Sequence, residues 1–188
     1  MFVDLIKCDE RIHRDAAFIL ADSFTRLGID TWPDISKALT EVNECLDEEY
    51  YCIGLLKNDE LLGWAGLRPL YEKITWELHP LVIKSDYQRR GFGSLLIKEI
   101  ERIAKENNVL NIMLGTDDTT FRTNLFEFDF SKENISDIIP KIKNLNDHQY
   151  EFYEKNGYKI IGILPDANGP GKPDIWMWKQ IQERVCSR

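Results

Sequence analysis

Apolar residues recur along the chain with two periods, and the switches between them mark out the elements. Phe92, Leu96, Ile100 and Ile103 stand at helical spacing with Lys98, Glu99, Glu101 and Arg102 between them, which predicts an amphipathic helix to about residue 107. Ala16, Ile19, Leu20, Phe24 and Leu27 predict an earlier helix, opened by Asp9 or Asp15 and closed by Gly28. After a turn at 30–34, Ile35, Leu39, Val42 and Leu46 predict another over 34–46. Strand-like runs fall at 2–8, 50–56, 61–70, 76–83, 109–115, 158–164 and 175–181, the second and third joined by the turn Lys57-Asn58-Asp59-Glu60. A short helix over 149–156 closes at Gly157, and 119–147 reads as a loop with a helix near 135–142.

The order is therefore one strand, two helices, three strands, a helix, a strand, a helix and two strands. It predicts the α/β class: a mixed, predominantly antiparallel sheet with helices on both faces. With 188 residues, no repeats and no interdomain linker, a single domain spanning 1–188 is expected.

Composition narrows the function classes. The hydrophobic fraction of 43% and charged fraction of 30% are those of a soluble globular protein. No apolar run approaches membrane-spanning length, and the first ten residues carry Asp4, Lys7, Asp9 and Glu10, so neither a membrane anchor nor a secretory signal is expected and the cytoplasm is the expected compartment. Cys8, Cys45, Cys52 and Cys186 show no paired spacing and form no metal pattern with three histidines, so reduced, non-catalytic thiols and no metal are expected. A net charge of −8 argues against nucleic acid as a partner and suits a polycationic one.

The chemistry concentrates where the run 76–83 meets the helix at 92. Between them lies Gln88-Arg89-Arg90-Gly91-Phe92-Gly93. The first N–H groups of a helix lack internal partners and the helix dipole favours negative charge there, so a glycine-rich helix start flanked by arginines is an anion site. A Walker loop would need Lys-Ser/Thr after the last glycine, where Ser94-Leu95 stands. A dinucleotide fingerprint would need a third glycine, where Leu96 stands. The segment resembles the Q/R-x-x-G-x-G/A loop of the GNAT superfamily of acyl-CoA-dependent N-acyltransferases. That resemblance implies that Arg89, Arg90, Gly91, Phe92, Gly93 and Ser94 hold the pyrophosphate of acetyl-CoA, with Leu81, Val82 and Ile83 lining its pantetheine arm.

Further segments are similar to the aminoglycoside 6′-N-acetyltransferases: Trp76-Glu77-Leu78-His79-Pro80-Leu81-Val82, Leu114-Gly115-Thr116-Asp117-Asp118, Phe152-Tyr153-Glu154-Lys155-Asn156-Gly157-Tyr158 and Leu164-Pro165-Asp166-Ala167-Asn168-Gly169. The resemblance is dense from 76 to 178. Before that it rests on Thr31-Trp32-Pro33, Tyr71 and the element order, and the long stretch 119–147 departs from the general superfamily pattern. It implies acetyl transfer from acetyl-CoA to an aminoglycoside amine, and a homodimer. Polyamine or protein amines as acceptors, or a non-catalytic acyl-CoA sensor, are the alternatives.

A primary amine with a pKa of roughly 9–10 is about 99% protonated at neutral pH, so thioester aminolysis needs a proton acceptor, an oxyanion donor and an acid for the thiolate. Glu77 is the candidate acceptor, through water; a salt-bridged carboxylate is the competing reading. His79 precedes Pro80, which points to an extended, bulged backbone and a supporting role at the oxyanion region. The resemblance places the oxyanion donor at the Leu81 N–H. Tyr153 is the candidate acid, against a reading as helix-packing aromatic. Asp117 and Asp118 could face the ammonium groups of the acceptor or merely end a strand, and Trp32 and Tyr71 join them as substrate contacts by resemblance.

Overall fold

A computed structural model describes residues 1–72 and 74–183. The chain divides into two compact units, Met1–Ile112 with the C-terminal residues from Gln180, and Met113–Lys179.

The first unit carries β1 (Phe2–Asp4), α1 (Glu10–Arg26), α2 (Ile35–Cys45), β2 (Tyr51–Lys57), β3 (Glu60–Tyr71), β4 (Thr75–Ile83) and α3 (Phe92–Glu106). Its strands run antiparallel in the order β1-β2-β3-β4. The first strand is shorter than the sequence predicts. The Asp4 carboxylate accepts from Ile6 N–H at 3.1 Å and turns Leu5–Lys7 into a 3-10 turn. Of the two candidate caps for α1 it is Asp9 that serves, accepting from Ile12 N–H at 3.1 Å. Asp34 caps α2 through Lys37 N–H at 2.9 Å.

The inner face of α2 differs from the expected one. Ala38, Val42 and Cys45 are buried, while Ile35 is exposed. Small side chains set this packing: Ala16, Ala17 and Ala21 of α1 are buried in the same cluster as Ala38, which lets the two helices approach closely. Leu5, Leu20, Leu61, Trp64 and Val82 belong to the same cluster, and the Trp64 indole donates to Ala16 C=O at 3.0 Å. Trp64 and Ala65 are both fully buried. Successive strand residues face opposite ways, so β3 is covered on both faces. α1 packs on β3 and β4 from the side of Trp64 and Val82, and α3, through Leu96, Ile97 and Ile100, also packs on those strands.

The β3–β4 register shifts twice, between Ala65 and Leu67 and again between Pro69 and Tyr71. Ala65 lies opposite Leu81 and Leu67 opposite Leu78, so Gly66 alone faces His79 and Pro80. This is a β-bulge at the dipeptide where the sequence suggests one. Glycine is required across from it, since a Cβ on Gly66 would lie 2.3 Å from the His79 carbonyl oxygen.

In the second unit β5 (Asn111–Asp117, entering from the first), β7 (Asp174–Gln180) and β6 (Lys159–Leu164) lie in the order β5-β7-β6. β6 and β7 are antiparallel, with Trp176 opposite Gly162. The segment 119–147 holds α4 (Ile135–Ile138), where the sequence predicts a helix to 142. A 3-10 turn containing Pro140 replaces its second half. α5 (Tyr150–Lys155) precedes β6. Helices and mainly antiparallel strands make this the mixed α/β class that the element order predicts. Cys8, Cys45 and Cys52 are free thiols, the last two buried; Cys186 lies outside the described residues.

Candidate active site

In the first unit the bulge fixes β4, and β4 carries three of the four predicted catalytic residues, Glu77, His79 and Leu81. The Lys84 N–H donates to Leu62 C=O at 2.8 Å, which sets the phase of the ladder. Hydrogen-bonded pairs alternate with open ones in an antiparallel pair, so Trp64 and Val82 exchange bonds. Leu81 and Ile83 therefore turn their N–H groups away from β3. Of the three residues expected along the pantetheine arm, Leu81 and Ile83 have N–H groups that β3 leaves unbonded, whereas the Val82 N–H is bonded to β3.

Beyond β4, Gln88 Nε2 donates to the Ile83 C=O at 2.9 Å, tying the turn to the strand. Arg89 and Gly91 both take left-handed backbone conformations, with φ of 58° and 86°. Gly91 is the N-cap of α3 and no side chain caps that end. The N–H groups of Phe92, Gly93 and Ser94 form its first turn, where an anion is the natural partner. Arg90 lies over the Tyr87 ring at 5.5 Å. Among the described residues no group of three or more His, Cys, Asp or Glu side chains is placed to hold a metal, and no helix is long and apolar enough to cross a membrane.

Glu77 and His79 belong to a cluster that the sequence reading saw only in part. Arg68 Nε donates to Glu77 Oε2 at 2.7 Å, directly across the β3–β4 pair, so Glu77 is an ion-paired carboxylate. His79 Nε2 lies 3.2 Å from Glu41 Oε1 of α2. The His79 ring is tilted against Trp32 at 6.2 Å, and Trp32 packs edge-on against Phe24 at 4.4 Å. The hydrogen bond with His79 is the main cause that holds the Glu41 carboxyl below its ordinary range. The charges of His79 and Arg68 and a hydrogen bond from Trp32 work in the same direction, against burial. For Arg68, burial would lower the pKa, but the bond and charge of Glu77, with Glu41 adding, raise it above the usual guanidinium value. The Cys45 thiol is pushed up to about 12, chiefly by burial, and so is inert. Tyr71 ends β3 and is 67% exposed.

Glu41 and Arg68 are the residues that sequence reasoning missed. Arg68 did carry a signal: a lone charge inside the apolar run 61–70 needs a partner. Glu41 carried none until the facing of α2 was known.

In the second unit Asp117 and Asp118 part company. Asp117 is exposed, and Asn168 Nδ2 donates to its Oδ1 at 2.6 Å. Asp118 is buried, and its oxygens accept from Arg122 N–H at 2.7 Å, Thr123 N–H at 2.9 Å and Thr123 Oγ1 at 2.6 Å. Asp118 thus organises the loop that follows β5, the turn-forming alternative of the two that its sequence allowed. His148 is buried behind it, with Nδ1 accepting from Tyr150 N–H at 3.2 Å and Nε2 facing Asp117 C=O at 3.2 Å. Burial holds it below the usual histidine range, so it is neutral. Tyr153, on α5, packs edge-on against Phe152 and Tyr158. Burial pushes its phenol well above the usual value, so it keeps its proton.

Residues 15–130 match the acetyltransferase (GNAT) family. The structure resembles an aminoglycoside 6′-N-acetyltransferase complexed with coenzyme A and one from Enterococcus faecium. Each is 34% identical, with a TM-score of 0.87 and 98% of both chains covered. It also resembles an aminoglycoside 6′-acetyltransferase type Ii at 30% identity and a TM-score of 0.71, over 98% of this chain and 99% of that one. No curated protein sequence matches the chain. The chain belongs to the GNAT acetyltransferase family.

Proposed function

We propose that the protein transfers an acetyl group from acetyl-CoA to the 6′-amine of an aminoglycoside antibiotic, and so confers resistance. The observation that carries this reading is the 34% identity to aminoglycoside 6′-N-acetyltransferases over 98% of both chains. The uncapped glycine start of α3 supports the donor: its N–H groups, with Arg89 and Arg90, fit a diphosphate. Acetyl-CoA supplies the activated acetyl group. The chain's residues then hold and move protons. Glu77 takes a proton from the entering amine through water. The Leu81 N–H, turned away from β3, stabilises the oxyanion, with His79 beside it. Tyr153 protonates the thiolate as the C–N bond forms and the C–S bond breaks. The exposed Asp117 and Tyr71 contact the polycationic acceptor; Trp32, expected with them, is buried in the core cluster against Phe24 and His79 and acts through His79. Asp118 acts only through the loop that it holds.

On this reading residues 1–188 act as one cytoplasmic acetyltransferase domain. The exposed apolar Ile161 and Trp176 on β6 and β7 favour a homodimer, which light scattering tests. The function is tested by incubating the protein with acetyl-CoA and kanamycin- or tobramycin-like drugs, spermidine or a basic peptide, and measuring the free thiol released. Thiol release with the drugs is expected. Release with spermidine alone would place the acceptor among polyamines, and release with none would overturn catalysis in favour of an acyl-CoA sensor.

A further inference from the structure

An acceptor amine that arrives as an ammonium ion carries three protons on nitrogen, and the product amide carries one. Two protons must therefore leave that nitrogen, while the thiolate takes up one from Tyr153. A single carboxylate, Glu77, accounts for one of the two. The structure holds a second group built to take the other. His79 is fixed on three sides: its backbone by the bulge opposite Gly66, its ring face by Trp32 at 6.2 Å, and its Nε2 by Glu41 Oε1 at 3.2 Å. Glu41 is itself held as a carboxylate: Arg68 lies within electrostatic reach, and Trp32 beside it works in the same direction. An ionised carboxylate only accepts hydrogen bonds, so the nitrogen facing it must carry the hydrogen. In a neutral imidazole the other nitrogen is then bare.

We propose that Glu41 is a positioning residue for acetyl transfer, holding His79 as its Nε2–H tautomer so that Nδ1 accepts the second proton from the amine nitrogen. This rests on the acetyl-transfer reading above. The charged and titratable groups around the pair are Arg68, Glu77 and Cys45. Arg68 already pairs with Glu77 at 2.7 Å, and the Cys45 thiol is neutral. Neither can replace Glu41 as the acceptor at Nε2. After the transfer, the His79 imidazolium gives its proton to solvent, while the proton held by Glu77 is exchanged through water for the one that Tyr153 lost, which restores all three groups and closes the cycle. The net balance is ammonium plus thioester giving amide, thiol and one released proton.

The chain has only three histidines, His13, His79 and His148, so ring nitrogen-15 spectra of the free protein resolve each of them, with His79→Gln assigning the signal. In the wild type, Nε2 of His79 is expected to be protonated and Nδ1 bare. Glu41→Met keeps the side-chain length and removes the acceptor. It is expected to mix the tautomers and to lower kcat by about tenfold or more, with acetyl-CoA affinity within about twofold by calorimetry. Glu41→Gln keeps an acceptor without the charge and is expected to fall between the two; it carries the test if Glu41→Met does not fold. An active wild type whose Glu41→Met variant keeps both the tautomer and the turnover would overturn the role of Glu41, as would a wild-type ring protonated on Nδ1. A wild type that acetylates no amine, with the tautomer as expected, would instead overturn the acetyl-transfer reading.

Discussion

Arg68 and Glu77 face each other across the β3–β4 pair, with Nε 2.7 Å from Oε2, so the carboxylate proposed to take a proton is also one half of a cross-strand ion pair. Both side chains are partly screened, at 33% and 19% exposure, and the pair therefore adds only modestly to stability. In a double-mutant cycle with Arg68→Leu and Glu77→Leu, the coupling read from urea unfolding is expected at about 0.5–1 kcal/mol. The effect on catalysis should be larger, because Arg68 aims the carboxylate. Arg68→Leu is expected to lower kcat/KM by about tenfold while leaving acetyl-CoA binding intact. Arg68→Leu activity equal to wild type would show that the ion pair is only a structural strut.

The turn before α3 makes a separate prediction. Gly91 has φ of 86°, and a Cβ there would meet nothing within 4 Å, so the conformation rather than space demands glycine. Gly91→Val should cost about 1–2 kcal/mol of stability from backbone strain. It should also displace the first-turn N–H groups and weaken acetyl-CoA binding by about tenfold or more, which is about 1.4 kcal/mol. Calorimetry on the folded variant checks this, and unchanged affinity would remove the turn from the donor site.

Asp118 shows both the reach and the limit of sequence reading. Adjacent identical residues gave no reason by composition to separate Asp117 from Asp118. The structure separates them by strand alternation, which the sequence reading did not apply to the pair: Ile112, Leu114, Thr116 and Asp118 share the buried face of β5 and its continuation, and Asp117 is exposed. Asp118→Asn keeps the shape but replaces one accepting oxygen with a donor among three donors. It is expected to cost about 1–3 kcal/mol in urea or thermal unfolding. Asp117→Asn should leave stability nearly unchanged and raise KM for the drug, since exposed charge pairing acts in ground and transition state alike.

Period and punctuation made the elements legible for physical reasons. The α3 stripe of Leu96, Ile100 and Ile103 is buried as its spacing requires, and Gly91 stands at a left-handed helix cap. The facing of α2 was not legible, because Ala38 and Cys45 bury less conspicuous surface than Ile35 promises. The pairs Glu41–His79 and Arg68–Glu77 were hidden for a different cause. Each joins residues on separate elements, and only strand register and helix packing bring them together.

Acid stability tests the Glu41 environment independently of catalysis. Its folded pKa lies below the ordinary carboxyl value of 4.5, so the unfolded chain takes up this proton first as pH falls. The resulting stabilisation is complete well above 4.5 and is lost as pH drops through that value towards the lower folded one. Glu41→Gln lacks this contribution. The wild type should therefore be the more stable at pH 6–7 in urea unfolding, and the gap should narrow as pH falls below about 4.5. A gap that stayed constant from pH 7 to 3 would mean that Glu41 is not held as the ionised partner of His79.

Tyr153 gives the most direct test of the proposed proton delivery. Burial raises its phenol pKa, so it enters the reaction protonated at any pH near neutrality. It is also a weaker acid than free tyrosine, and it can serve a thiolate only if that thiolate is likewise desolvated and correspondingly basic. The Tyr153→Phe variant keeps the ring that packs against Phe152 and Tyr158 and loses only the hydroxyl. Its kcat is expected to fall by about 10²-fold, within the usual range for loss of a general acid, with acetyl-CoA affinity unchanged. The same variant separates the two readings of this residue by pH. A tyrosine with a raised folded pKa stabilises the fold fully below its unfolded value of about 10 and loses that contribution as pH rises beyond it. Wild type should therefore lose stability in alkali that Tyr153→Phe keeps. Turnover within about twofold of wild type, together with that alkaline difference, would leave Tyr153 a packing aromatic and move the acid elsewhere.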